Sequence, residues 1–299
     1  MDSNSPRVHR HLGGEFVSAA GVLPGAVVSA VGYDSCDLVP QLHRGLPSPY
    51  LTFIFSLGGP IVSGMTPQEA QGPAAARNEV LVAGLHDAPT FVVQPESQAG
   101  IQLAVHPLAA RGVFGAPASR VPWQVTEGAD LLGAEADEVR ERLHCATTWE
   151  GRFTIVADYL RRRMAQQRHS GGKGRPELAE AWRWLAARGG TGSIEELARH
   201  VGLSGRRLRA LFTAELGVSP KRLAALTRFD RTRQRLASAT VNREQLRLTQ
   251  LAVDGGYYDH SHLVGDFHRF AGLSPSAWLV EERRNIQAGG HQTGADSGP

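Results

Sequence analysis

Cysteine is scarce in this chain, and its scarcity excludes two kinds of structural site. Of 299 residues only Cys36 and Cys145 are cysteines, and they lie far apart, without a Cys-x-x-Cys pair. A disulfide scaffold needs several cysteines, and a structural zinc site needs closely spaced pairs of them. The sequence therefore predicts a protein of a reducing compartment, without cysteine-ligated metal.

Long apolar runs are absent as well. The N-terminal stretch MDSNSPRVHRHLGGEF lacks the apolar run of a signal peptide, and no segment approaches the ~20 apolar residues of a membrane span. The sequence also contains no nucleophile elbow, phosphate-binding loop or His-Glu-x-x-His motif. We therefore expect a cytoplasmic protein with no membrane partner and no enzymatic activity.

The charge of the chain is small in total but unevenly distributed. The formal net charge is +3, yet residues 1–130 carry 6 basic and 10 acidic side chains, whereas residues 176–285 carry 17 and 12. All but one of the basic residues in the second range are arginines. This split favours an anionic partner for the C-terminal part, although a solvated basic helix face would give the same totals.

The pattern of apolar residues predicts several domains. Short apolar runs at 51–57, 79–83 and 101–105 are bounded by glycine and proline, which indicates strands of a sandwich or barrel. From residue 133 the pattern changes to helical periodicity. The predicted fold class is α+β multidomain, with a β-rich barrel-like domain at 1–130, a helical connector and linker at 131–175, an all-α tandem helix-turn-helix domain at 176–285, and a disordered tail at 286–299.

The strongest pattern in the chain is an internal repeat in the C-terminal part. The segment IEELARHVGLSGRRLRALFTAELGVSP at 194–220 recurs as LTQLAVDGGYYDHSHLVGDFHRFAGLSP at 248–275. Matched positions are offset by 54 residues before the turn and by 55 after it. Each copy predicts one helix-turn-helix unit, and the alternative is a pair of helical hairpins in an all-α bundle.

Turn and cap residues recur at matched positions of the two copies. Gly202 and Gly256 suit the tight turn between the two helices of a unit. Ser204 and Asp259 are preferred N-cap residues for the second helix of each unit. A bundle needs only the apolar stripe, so the matched turns and caps favour tandem helix-turn-helix units.

The second helix of the first unit has a basic face opposite its apolar stripe. The N-terminal part of such a helix enters the major groove, where arginine can bond guanine O6 and N7. The predicted DNA-binding residues of this unit are Ser204, Arg206, Arg207, Arg209, Ala210 and Thr213. Each arginine either reads a base or binds a phosphate, and the sequence leaves both interpretations open.

The second unit presents a smaller and less basic face. Its predicted DNA-binding residues are Asp259, His260, Ser261, His262, Gly265, His268 and Arg269. A glycine inside a helix costs about 1 kcal/mol relative to alanine, so Gly265 indicates a close approach to DNA. We expect the first unit to read bases of double-stranded DNA and the second to fix the register.

A helix predicted at 221–238 joins the two units. Its arginines either contact phosphates or form an ordinary solvated face, and they are Arg228, Arg231, Arg233 and Arg235. A rigid helix here would present the two reading helices along one face of DNA, about one helical turn apart.

The two copies resemble the DNA-binding domain of the AraC/XylS family of bacterial regulators. The resemblance covers residues 176–283, and its most specific part is LAVDGGYYDHSHLVGDFHRFAGLSP, followed by Trp278. The sequence departs from the family pattern at Tyr257-Tyr258 in the turn and at Thr232 in the linker helix. The resemblance implies a seven-helix domain that controls transcription by recruiting or obstructing RNA polymerase.

The N-terminal half resembles the β-rich, often cupin-like sensing domain of an actinobacterial branch of this family. The segments HRGLPSPYLTFIFSLGGP and VAGLHDAPTFVV carry this resemblance, which implies a small-molecule effector. The candidate effector-binding residues are His43, Arg44, Tyr50, Phe53 and His86. Because the His-x-His spacing of a cupin metal centre is missing, we expect no metal and no cofactor.

The same candidates also have structural interpretations. Arg44 either binds an acidic ligand or pairs with Asp37 or Glu79, and aromatic side chains in strands commonly fill the core. The connector helices either form a homodimer contact or pack against the barrel.

Three functional hypotheses follow from the sequence. The first is a ligand-responsive transcription regulator, and the second is a cupin-like metalloenzyme with an appended DNA-binding domain. The third is a constitutive DNA-binding protein whose N-terminal half only dimerises. A ligand that binds only the native state raises its stability, which separates the first hypothesis from the third.

Overall fold

The fold has a β-rich N-terminal part and an all-helical C-terminal part, which confirms the predicted fold class. A computed structural model describes residues 6–11, 14–168, 175–241 and 247–287. Residues 169–174 of the predicted linker at 169–176, and the predicted tail from residue 288 onward, lie outside the described residues. The last helix continues to Gln287, two residues into the segment predicted to be a tail.

Eleven strands form two antiparallel sheets in the described part of the chain. Seven of them pair in the order β1-β2-β3-β10-β5-β8-β11 and four in the order β4-β9-β6-β7. The strands are β1 (Arg7–His11), β2 (Gly14–Ala19), β3 (Val27–Ser35), β4 (Gln41–Gly45), β5 (Leu51–Ser56), β6 (Ile61–Gly64), β7 (Ala76–Asn78), β8 (Val80–Ala83), β9 (Thr90–Gln94), β10 (Gln98–Val105) and β11 (Thr126–Glu127). The three strands predicted from apolar runs are β5, β8 and β10.

Twelve helices occur in the same described residues, and the last seven form the C-terminal part. The helices are α1 (Pro67–Gln71), α2 (Ala110–Phe114), α3 (Gly128–Leu132), α4 (Glu135–Cys145), α5 (Trp149–Arg168), α6 (Pro176–Ala187), α7 (Ile194–His200), α8 (Gly205–Leu216), α9 (Pro220–Val241), α10 (Leu248–Asp254), α11 (His260–Ala271) and α12 (Pro275–Gln287). The number of C-terminal helices agrees with the seven-helix domain that the family resemblance implies.

One face of the seven-stranded sheet packs against the helices that follow it. Phe53 and Phe55 are wholly buried on β5. The Phe53 ring centroid lies 5.5 Å from that of Phe114, and the Phe55 centroid lies 6.3 Å from that of Tyr159. Thus α2 and α5 both pack on the β-rich part. For α5, which belongs to the connector, this is the packing that was one of the two predicted alternatives, and a dimer contact through the connector stays a prediction.

One face of the four-stranded sheet is buried and polar. Strand register places Gln41 beside Gln94, and Ile61 beside Asn78, so these residues share a face. Gln94 and Asn78 are both 5% exposed. Ser63 and His43 are both paired with Val92 and lie on the same face.

Two separate hydrophobic cores divide the C-terminal helices. Leu208 and Phe212 of the first unit belong to a cluster that runs continuously into the β-rich part. Leu263 and Phe267 of the second unit belong to a distinct cluster with the later part of α9. Within the described chain, Leu46 is the one partly buried hydrophobic residue of the β-rich part that packs against this cluster. The boundary falls inside α9, between Ala224 and Ala225.

Four arginines of α9 were predicted to contact phosphates or to form a solvated face, but two of them are internal. Arg228 pairs with Asp266 of α11 at 3.1 Å, and its guanidinium lies 4.8 Å from the ring centroid of Tyr257. Arg233 pairs with Asp230 at 2.8 Å. Both expectations were wrong for these residues because a carboxylate faces each guanidinium in a largely buried setting.

Polar contacts join the β-rich part to the C-terminal helices. The docking contacts, as we name them, are the ion pairs Arg44–Glu281 (3.3 Å), Asp87–Arg222 (2.5 Å), Asp87–Arg269 (3.0 Å) and Arg111–Glu215 (3.0 Å), and the 2.6 Å hydrogen bond that Ser119 Oγ donates to the carbonyl of Ala214. An aromatic contact accompanies them, since the ring of Trp182 lies 4.5 Å from that of His106.

Candidate nucleic-acid interface

The turn of the first unit is set by its caps. Ser193 and Glu196 form a capping box at the start of α7. Gly202 then takes a positive φ of 69°, which places the chain for the next helix. The Ser204 hydroxyl accepts a hydrogen bond from the Arg207 amide and caps α8. The predicted turn and N-cap of this unit are therefore confirmed.

Helix α8 turns an apolar stripe inward and a basic face outward. Leu208 and Phe212 are wholly buried and Leu216 is 1% exposed. The predicted DNA-binding residues of the helix and its cap are all exposed, namely Ser204, Arg206, Arg207, Arg209, Ala210 and Thr213. Among the described residues, no carboxylate forms an ion pair with these three arginines. Their guanidinium groups thus face solvent at the helix N-terminus, where the backbone also favours an anion.

The second unit repeats this arrangement with different side chains. Gly256 has a φ of 73°, and Asp259 accepts from the His262 amide to cap α11. The predicted DNA-binding residues are again exposed, namely Asp259, His260, Ser261, His262, Gly265, His268 and Arg269. A Cβ placed on Gly265 would meet no atom within 4 Å. The glycine is therefore not required by packing within the chain.

Two of the exposed side chains on α11 are already engaged within the protein. His262 lies 3.4 Å from the Tyr258 amide through Nδ1 and 3.5 Å from Arg228 through Nε2. Arg269 pairs with Asp87 of the β-rich part. The sequence did not reveal these partners, because Asp87 lies 182 residues away from Arg269.

Sequence reasoning also missed an exposed aromatic residue beside α11. Tyr258 is 92% exposed, whereas its neighbour Tyr257 is 5% exposed. In the first unit Leu203 matches Tyr257, since the amide of each donates to the alanine carbonyl five residues earlier, and Leu203 is partly buried against the core. Tyr258 is therefore the extra residue of the second turn. The departure at Tyr257-Tyr258 therefore splits into one core residue and one surface residue. Thr232, the second departure, is buried and donates to the Arg228 carbonyl at 2.8 Å.

The five candidate effector-binding residues do not converge on one site. His43 lies on the polar face of the four-stranded sheet, whereas Arg44 points to the other face and pairs with Glu281. The suggested partners of Arg44, Asp37 and Glu79, are therefore wrong. Phe53 fills the core between the seven-stranded sheet and the helices. The remaining two lie near the docking contacts, with the Tyr50 ring 6.1 Å from that of Trp182 and His86 next to Asp87.

Burial changes the protonation of two histidines near the docking contacts. It lowers the pKa of His86, whose Nδ1 lies 3.0 Å from the Gly84 carbonyl. Burial also lowers the pKa of His106 to about 4. Both rings are therefore neutral at pH 7.

Neither a cluster of metal-ligating side chains nor a membrane-spanning helix occurs among the described residues. In this part of the chain, no group of three or more His, Cys, Asp or Glu side chains is arranged to hold a metal ion. None of the helices described combines the length and the apolar character needed to cross a membrane.

Comparison with known proteins identifies the C-terminal part. Residues 197–280 match a family model described as a helix-turn-helix domain. No curated protein matches the chain. Similar solved structures include an AraC-type regulator from Chromobacterium violaceum, which is 26% identical over 37% of this chain and 91% of its own, with a TM-score of 0.31. ToxT from Vibrio cholerae O395 is 9% identical over 84% of this chain and 96% of its own, with a TM-score of 0.46.

The AraC-like activator CuxR is a further similar structure. It is 16% identical over 80% of this chain and 88% of its own, with a TM-score of 0.29. The matched domain model spans the two capped units, whose second helices turn exposed faces outward. Together they identify residues 197–280 as a helix-turn-helix domain with two capped units, similar to the double helix-turn-helix domain of AraC-type regulators.

Proposed function

We propose that the chain is a DNA-binding transcription regulator, in which α8 reads bases of double-stranded DNA and α11 fixes the register. The observation that carries this proposal is the exposed, unpaired state of Arg206 and Arg209 at the N-terminal half of α8. Arginine in that position reaches base edges in the major groove. On α11 the corresponding face holds Ser261, Gly265 and His268, which are smaller or less basic.

The experiment that tests this function is selection of bound fragments from genomic DNA by the full chain. A specific regulator enriches a short sequence with two sub-sites, and its affinity for that sequence exceeds its affinity for random DNA by about 10³-fold or more at physiological salt. Equally weak binding to all fragments that vanishes in modest salt would contradict the proposal, because that behaviour belongs to non-specific phosphate contacts.

We also propose that a small molecule modulates the regulator by binding at the polar face of the four-stranded sheet. Three buried side-chain atoms there have no hydrogen-bond partner, namely Ser63 Oγ, Asn78 Oδ1 and Gln94 Nε2. A buried polar atom without a partner costs about 1–3 kcal/mol, so a ligand that supplies partners gains affinity there. His43 lies on the same face, and it is the candidate effector-binding residue that we retain.

The chemistry of this face favours an uncharged ligand with several donors and acceptors. A hydroxyl, an amide oxygen and an amide N–H supply complementary hydrogen bonds but no net charge.

Thermal unfolding with a panel of neutral sugars, polyols and primary amides tests the proposal, since a ligand of the native state raises Tm. Gln94→Leu should abolish the shift, whereas Arg77→Gln on the exposed face of β7 should retain it. Absence of any shift across the panel would favour the constitutive alternative.

Transcriptional control completes the proposal. As the family resemblance implies, the DNA-bound regulator acts through RNA polymerase, in the cytoplasm and without catalysis of its own. Transcription in vitro from a promoter that carries the selected site should change with added protein, and no change would contradict this role.

Homodimer formation through the connector is checked by sedimentation. Substrate turnover or copurified metal would favour the metalloenzyme alternative.

A further inference from the structure

Asp87 connects two separate elements of the DNA-binding part. Its carboxylate pairs with Arg222 in the first turn of α9 at 2.5 Å and with Arg269 in the last turn of α11 at 3.0 Å. Asp87 and Arg222 are each 33% exposed, and Arg269 is 48% exposed. A residue of the β-rich part therefore bridges the start of the linker helix and the reading helix of the second unit.

The first unit is fastened to the β-rich part in a different way. Its hydrophobic core is continuous with the core of that part. The last turn of α8 adds polar contacts, since Glu215 pairs with Arg111 and the Ala214 carbonyl accepts from Ser119. The position of α8 therefore rests on apolar packing as well as on polar contacts.

The second unit has much less apolar contact with the rest of the chain. Its core is separate. Within the described residues, Leu46 is the one partly buried hydrophobic residue of the β-rich part that packs against that core. Its orientation relative to the first unit therefore depends on α9 and on two polar anchors, Asp87–Arg269 and Arg44–Glu281. Both anchors lie away from the N-terminal half of α11, so they leave the reading face exposed.

We propose that Asp87 is a positioning residue that holds the second unit at a fixed orientation and so sets the spacing of the two DNA sub-sites. This inference rests on the proposed function, because it requires both units to read the same duplex. Asp87 precedes β9, which carries Gln94 of the proposed ligand site, and Arg44 follows His43 on β4. The elements that form the proposed ligand site thus also carry both anchors of the second unit.

The test measures how strongly the full chain discriminates between sub-site spacings. Kd is measured at one salt concentration for the selected duplex, for duplexes with one or two base pairs inserted between the sub-sites, and for a duplex that keeps only the first sub-site. We expect Asp87→Asn to reduce the spacing preference by roughly 3- to 10-fold, as loss of two exposed ion pairs allows. Binding to the single sub-site should stay within about twofold of wild type.

Two further variants control for the change in net charge and remove the Asp87 contact from its other side. Asp130→Asn removes one exposed carboxylate from the β-rich part without touching the C-terminal helices, so it controls for the change in net charge. Arg222→Gln removes one of the two ion pairs of Asp87 and should give a smaller spacing defect than Asp87→Asn. The double variant should match Asp87→Asn, because Asp87→Asn already removes the contact that Arg222→Gln removes. If Asp87→Asn fails to fold, the spacing preference of Arg222→Gln still tests the inference.

Several outcomes would overturn the inference. They are an unchanged spacing ratio in Asp87→Asn, an equal loss on every duplex including the single sub-site, and tighter binding to every duplex. The last outcome would make Asp87 a competitor of DNA phosphate instead. Failure of the wild type to select any sequence would instead contradict the proposed function itself, so the two failures are distinguishable.

Discussion

Acid should weaken the contact between the β-rich part and α6, because a histidine buried there takes up a proton only when the contact opens. His106 Nδ1 accepts from the Leu108 amide at 3.1 Å, and its ring packs on Trp182 of α6 and, 6.4 Å away, on Tyr50. Burial lowers the pKa of His106 from 6.5 to about 4 and raises the pKa of Tyr50. In the pH range from 5 to 7.5, His106 therefore stays neutral in the native state and takes up a proton only when it is released from this cluster.

The direction and magnitude of this pH effect on the free energy of unfolding follow from proton linkage. The unfolded or undocked state takes up a proton as pH falls below about 6.5, whereas the native state resists protonation down to about 4. The native state is therefore destabilised progressively as pH falls through that window. Between pH 7.5 and pH 5 the loss is at most about 2 kcal/mol for this one group.

Urea unfolding at the two pH values, followed by the fluorescence of Trp182 and its neighbours, measures the effect. His106→Asn is the matched control, because asparagine can still accept from the Leu108 amide but does not titrate. His86 acts in the same direction, since burial lowers its pKa too. Because His86 is present in both proteins, its contribution cancels in the comparison. On acidification, His106→Asn should lose up to about 2 kcal/mol less free energy of unfolding than wild type. An equal loss in both proteins would refute this account of His106.

Three predictions concern the helix-turn-helix units. Ser204→Ala and Asp259→Ala should each lower the free energy of unfolding by about 1 kcal/mol, because each removes an N-cap; urea unfolding checks this, and no change would contradict the cap assignment. Gly256→Ala should destabilise by about 1–2 kcal/mol or more, since φ is positive and the new Cβ would meet Thr191; a neutral result would refute it. Gly265→Ala should stabilise the fold by about 0.5–1 kcal/mol yet weaken DNA binding measured by fluorescence anisotropy, and unchanged binding would exclude close approach of DNA at this glycine.

Local features of the C-terminal part could be predicted from the sequence. The two turn glycines and the N-caps Ser204 and Asp259 are observed as predicted, because each property depends on the residue itself and its near neighbours. The exposed face of α8 follows from its period of 3.6 residues in the same way.

Contacts between distant segments could not be predicted. Arg44 pairs with Glu281, 237 residues away, and a single polar surface position has no periodic signature that would reveal its partner. Arg228 illustrates the same limit, since Asp266 lies on another helix. The pairing of Arg233 with Asp230 was within reach, because residues three positions apart share a helix face.

The candidate ligand site was only partly accessible to sequence reasoning. Strand alternation identifies which residues share a face, but it does not say which sheet face is closed. Histidine, arginine and aromatic residues drew attention in the sequence, whereas Ser63, Asn78 and Gln94 did not. Their significance lies in burial without a hydrogen-bond partner, which only the packed structure reveals.

The central claim is that α8 reads base pairs, and a base-substitution profile tests it most directly. Binding of the full chain is measured to the selected duplex and to every single base-pair variant of it, for wild type, Arg206→Ala, Arg209→Ala and the control Arg161→Ala on α5. Each α8 variant should lose about 1–3 kcal/mol of discrimination at one particular base pair, and the control should match wild type. A uniform loss across all duplexes, with a salt dependence reduced by about one phosphate contact, would contradict base reading by α8.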